Sequence, residues 1–106
     1  MMHCPSCPLE TALSILANKR TITILCTLMQ GTKRFGELKA SIGDISQKVL
    51  TEHLRNLEDK KIVERTVYPE VPPKVEYTLT EVGYGLRPVL DSMREWGFIY
   101  QGIDTD

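Results

Sequence analysis

Near residue 61 the spacing of apolar residues switches from about 3.6 to two, and near residue 80 it switches back. A chain of 106 residues with that pattern has helices first, a small β element next and a helix last. Pro8 suits a first helical position, and Leu9, Ala12, Leu13, Leu16 and Ala17 follow at helical spacing as far as Asn18. A second helix is expected over about residues 19–30, with Ile22, Leu25, Cys26 and Met29 on one face and Gly31 as its stop. Phe35, Leu38 and Ile42 space a short third helix that ends at Gly43. Ser46 is a good N-cap for a fourth helix of about thirteen residues, whose buried stripe is Leu50, Leu54 and Leu57. Its opposite side carries Lys48, Thr51, Glu52, Arg55 and Asp59.

Residues 62–68 are rich in β-branched side chains, and Val75, Tyr77 and Leu79 alternate with Glu76 and Thr78. The prolines of the intervening Pro69-Glu70-Val71-Pro72-Pro73-Lys74 lack donors and forbid a central strand, so this is a turn between two strands. Thr80 then caps a last helix running from residue 81 towards residue 100, with Leu86, Val89, Leu90, Met93 and Trp96 on one side. Pro88 should kink that helix or divide it. The expected fold is α+β and mainly α: a winged helix-turn-helix with a two-stranded β wing and a long C-terminal helix. That architecture commonly sets its second helix in the DNA major groove.

Composition supports one globular unit spanning residues 1–106: 42% of residues are hydrophobic and 25% charged. Apolar runs are only a few residues long and the start carries no basic-then-apolar leader, so no membrane partner and a cytoplasmic location are expected. Three cysteines then read as thiols. The net charge of −1 hides a gradient. Residues 17–61 hold nine Lys/Arg against five Asp/Glu, and residues 80–106 hold two against five. Such a chain can meet a phosphate backbone through a patch, not through its overall field.

Several spaced motifs resemble the HxlR-type winged helix-turn-helix regulators. They are Cys7-Pro8-Leu9-Glu10, Arg34-Phe35-Gly36-Glu37-Leu38, Ile45-Ser46-Gln47-Lys48-Val49-Leu50 and Val63-Glu64-Arg65. The run from Pro69 through Thr80 and Pro88-Val89-Leu90 followed by Trp96-Gly97 complete the pattern, over about residues 7–97. The resemblance implies a homodimeric transcription regulator paired through its terminal helices, without catalytic activity or cofactor. Two-fold symmetry would match a pseudo-palindromic double-stranded operator. Trp96 and Phe98 are candidate interface anchors. The chain departs from the family pattern at Asn18-Lys19-Arg20, where Gly-Lys-Trp is usual, and at His53, where arginine is usual. Lys61 stands where a helix-ending glycine is common, at a cost of about 1 kcal/mol.

Within this frame Gln47, Lys48, Thr51 and Arg55 are the expected DNA readers. Gln pairs with adenine, Arg or Lys with guanine, and the Thr methyl meets thymine. Ser46 and the free amides beside it suit a phosphate. Lys33, Arg34 and Lys74 are expected positioning contacts. Cys4 and Cys7 have the spacing of a redox dithiol or of half a zinc site, but a four-cysteine site needs a second pair that only another copy could supply. No metal site is assigned. Cys7 matches a cysteine through which several family members sense oxidants or electrophiles, and a place just before a helix favours the reactive thiolate. Cys26 reads as a core residue. No nucleophile–base order, phosphate loop or carboxylate pair points to an enzyme. The alternative function is a winged-helix module that binds only proteins; it would expose apolar side chains on the fourth helix, where this chain has Lys48, Thr51 and Arg55.

Overall fold

The computed structural model describes residues 7–103. In order these form α1 (Pro8–Leu16), α2 (Lys19–Leu28), β1 (Lys33–Arg34), α3 (Phe35–Ile42), α4 (Gln47–Asp59), β2 (Val63–Tyr68), β3 (Lys74–Leu79), α5 (Glu81–Tyr84) and α6 (Arg87–Ile103). Pro8 is the first residue of α1, and the Asn18 side chain caps α2 by accepting from the amides of Arg20 and Thr21. Ile24, Leu25, Leu28, Leu38, Leu50, Leu54 and Leu57 are all but sealed from solvent, so one core joins α2, α3 and α4. The hairpin closes that core with Val63, Tyr77 and Leu79.

The two strands of the wing, β2 and β3, form as expected, and β1 adds a third strand to the sheet. It has three antiparallel strands in the order β1-β3-β2, because Lys33 pairs with Tyr77 and Arg34 with Glu76. A free β3 edge would leave a row of unpaired backbone groups, and two residues of β1 cover part of it. The hydroxyls of Thr32 and Thr78 extend the join at 2.6 Å.

Two glycine-like positions fix how the hairpin meets the helices. At the end of α4, Lys61 takes φ +65°, with its amide donating to Glu58 and the Ile62 amide reaching back to Leu57. This is the left-handed closure for which glycine is usual, carried here by a lysine as its family position suggests. Ile62 and Leu57 are both buried against each other's end of the motif. At Gly83 a Cβ would run into the Ile62 carbonyl, which already accepts from the Thr80 amide at 2.9 Å. Only glycine lets α5 lie this close to the start of the wing.

The last helix does divide, at Gly85 and Leu86. Pro88 falls at the second position of α6, where its missing N–H costs nothing. Arg87 then donates from Nη2 to the Met29 carbonyl at 3.0 Å, tying α6 to the end of α2. Beyond Leu90, α6 buries no further side chain. Among the described residues no helix is long and apolar enough to cross a membrane.

Candidate nucleic-acid interface

Between α3 and α4 the chain must turn within four residues. Gly43 makes the reversal at φ +86°, and its amide donates to Lys39. Ile45, 6% exposed, plugs the turn into the core. Arg20 donates from Nη1 to the Asp44 carbonyl at 2.7 Å, pinning the outside of the turn to α2. The Ser46 hydroxyl accepts from the Val49 amide at 3.1 Å and starts α4. Thus Arg20, one of the departures from the family pattern, braces the helix-turn-helix.

Burying Leu50, Leu54 and Leu57 forces the other side of α4 outward. Gln47, Lys48, Thr51 and Arg55 line one shallow concavity there, together with Glu52. Gln47, Lys48 and Arg55 are exposed and Thr51 is half-buried. None of these four side chains has a hydrogen-bond or ion-pair partner among the described residues. The charged face is therefore backed by the buried stripe and left open to solvent on the outside.

The remaining expected contacts divide. Arg34 and Lys74 come together across a groove between the start of α3 and the wing tip, whose walls include Phe35, Val71 and Pro72. Arg34 also ends β1, and its amide donates to the Glu37 carboxylate at 2.8 Å. Lys74 lies 3.4 Å from Glu76 and 4.9 Å from the centre of the Tyr68 ring, so it is partly engaged within the wing. Lys33 is half-buried in β1 and belongs to neither concavity. The Ser46 hydroxyl accepts one hydrogen bond, from the Val49 amide at the cap, which leaves its O–H free to donate. His53 faces inward, its Nδ1 3.5 Å from the hydroxyl of buried Thr21.

Sequence reasoning passed over a second concavity, between α4 and β2, where Arg55 meets Arg65 and Tyr77. The signal was present. Arg65 lies two residues from Val63 and two from Val67, so strand alternation puts it on the inward face of the hairpin, an odd place for a charge.

Cys7 is the half-buried N-cap residue of α1 and carries a free thiol, and its carbonyl accepts from the Thr11 amide and hydroxyl. Cys4 lies outside the described residues. Cys26 packs, half-buried, against the core.

A three-helix core, a braced turn, an outward polar helix and a β wing define a winged helix-turn-helix protein. A family model described as HxlR-like helix-turn-helix matches residues 15–104, and the chain belongs to that family. An uncharacterized HTH-type transcriptional regulator of Methanothermobacter thermautotrophicus is 46% identical over 94 residues, covering 89% of this chain and 72% of its own. YodB, an HTH-type transcriptional regulator of Bacillus subtilis, is 48% identical over 91 residues, 85% of this chain and 81% of YodB. Its reduced form superimposes with a TM-score of 0.79 at 47% identity, over 90% of this chain and 91% of that one. The redox regulator HypR in its reduced form gives a TM-score of 0.85 at 40% identity, over 92% and 96%. The chain is a transcriptional regulator of the helix-turn-helix type.

Proposed function

We propose that this regulator is a homodimer that binds a pseudo-palindromic duplex, reading base edges with Gln47, Lys48, Thr51 and Arg55. Ser46, Lys33, Arg34 and Lys74 position it on the backbone. The outer face of α4 carries this reading: Gln47, Lys48, Thr51 and Arg55 make it polar and cationic, their side chains have no hydrogen-bond or ion-pair partners among the described residues, and buried leucines back it. A protein-docking face would offer apolar groups there.

Dimerisation is supported by α6. Val89, Met93, Trp96, Tyr100 and Ile103 recur at alternating steps of four and three, the seam spacing of a paired helix, and all are exposed. Trp96 is 63% and Phe98 68% exposed, so the monomer core does not use them. Leu9 and Leu13 on α1 add a further exposed apolar pair. Apolar surface on this scale marks an association face. Sedimentation equilibrium tests it: wild type should run as a dimer, and Trp96→Glu/Ile103→Glu as a folded 12.0 kDa monomer with weakened DNA binding. A monomeric wild type at the concentrations that shift DNA would contradict the reading.

Regulation through Cys7 belongs to the same proposal. The thiol stands at the start of α1, next to the exposed Leu9 that would meet the partner. Modification there would change how the two subunits are set and so mis-space the recognition helices. Diamide takes two electrons and two protons from a pair of thiols and leaves a disulfide. Treated wild type should lose DNA affinity and Cys7→Ser should not. Undiminished oxidant sensitivity in Cys7→Ser removes Cys7 from the mechanism.

A further inference from the structure

The concavity between α4 and β2 measures about 230 Å³ and is walled by Thr51, Leu54, Arg55, Glu58, Arg65 and Tyr77. Arg65 and Tyr77 are directly opposed across the β2–β3 ladder, so both side chains rise on the same face of the hairpin. On that face the neighbouring pair, Val63 and Leu79, is buried, whereas Arg65 is exposed. The edge of the core therefore falls at this pair: Tyr77 belongs to the core, and Arg65 projects beside α4 instead of under it. Neither Arg55 nor Arg65 forms an ion pair or hydrogen bond among the described residues. Glu58 shares the notch and pairs with neither. Tyr77 is 7% exposed and its hydroxyl has no hydrogen-bond partner among the described residues; no side-chain oxygen that is sealed from solvent lacks a partner there, so this hydroxyl keeps an opening to solvent and can donate into the notch it lines.

We infer that this notch seats one DNA backbone phosphate, held by the Arg65 guanidinium and the Tyr77 hydroxyl beside the reading face of α4. The inference rests on the DNA-binding reading above. Guanidinium donors match phosphate oxygens in pairs, and a phenolic O–H adds a third donor. Two arginines against one glutamate leave the notch cationic. Arg55 reaches both concavities, so a phosphate seated here would fix the turn of α4 relative to the bases that Lys48 and Thr51 meet. Arg65 is thus a positioning residue, sequence-independent in its effect.

Because phosphate binding carries no sequence information, a mixed-sequence 30-bp duplex serves as the probe, with a duplex enriched by in vitro selection beside it (length of about three DNA turns). Affinity is measured against salt for wild type, Arg65→Gln, Arg65→Lys and Tyr77→Phe, each checked for an unchanged melting profile. Arg65→Gln should weaken both duplexes equally, by about three- to tenfold, and lower the salt slope by about one. Arg65→Lys should keep the slope. Tyr77→Phe should weaken both by about threefold with the slope retained. An unchanged slope in Arg65→Gln, a loss confined to the selected duplex, or wild-type affinity in Tyr77→Phe would overturn the seat. Failure of the wild type to bind either duplex at low salt would overturn the DNA-binding reading itself, and the seat with it.

Discussion

Lys48→Ala/Arg55→Ala should keep the fold and lose selective DNA binding. Both side chains are exposed and unpartnered among the described residues, so removing them leaves no buried group there unsatisfied, and stability should change by less than about 0.5 kcal/mol. On DNA the two removals act together. A side chain that reads a base edge is worth about 1–3 kcal/mol of discrimination, so the pair should cost about 2–6 kcal/mol on a selected duplex. That is roughly 30-fold to 10⁴-fold in affinity. On mixed sequences the loss should be limited to electrostatics and appear as a shallower salt slope. Fluorescence anisotropy on the two duplexes separates these outcomes. An equal loss on both would reassign Lys48 and Arg55 to the backbone.

Leu54→Ala should give a large stability loss, about 3–4 kcal/mol, with a visible cost in DNA binding. Leu54 is 1% exposed, in the middle of the α4 stripe. Leucine-to-alanine changes at sealed sites lose both transfer energy and packing around the cavity left behind. A domain of this size has only about 5–15 kcal/mol in hand, so a large part of it would go. Leu54 also walls the notch between Arg55 and Arg65, and a loosened α4 would misplace both arginines. Urea denaturation at one fixed protein concentration measures the change, since a dimer's midpoint moves with concentration. A loss below about 1 kcal/mol would mean that the site collapses around alanine and that α4 is less rigidly backed than described.

The parts legible in the sequence were those with a period or a cap. The core stripe of α4, the Ser46 cap, the turn at Gly43 and the two hairpin strands each carry a local signature several residues long. Lys61 was readable as an unusual occupant of a glycine position, and its φ of +65° shows why. β1 escaped because two residues have no alternation, and it exists only as a partner for the edge of β3. Arg65 escaped for a different reason. It stood only within the Val63-Glu64-Arg65 motif, and the β2–β3 register is what places it opposite Tyr77. Trp96 and Phe98 could not be assigned from spacing, because periodicity gives the same stripe whether a core or a partner covers it. Their exposure shows that the monomer core does not cover them.

In a homodimer, paired recognition helices should meet two half-sites. Hydroxyl-radical footprinting of wild type on a duplex enriched by in vitro selection tests it most directly. Two symmetric protected patches should appear, with centres about 10 bp or a whole multiple of a DNA turn apart. One short, unsymmetrical patch made by a monomer would contradict it.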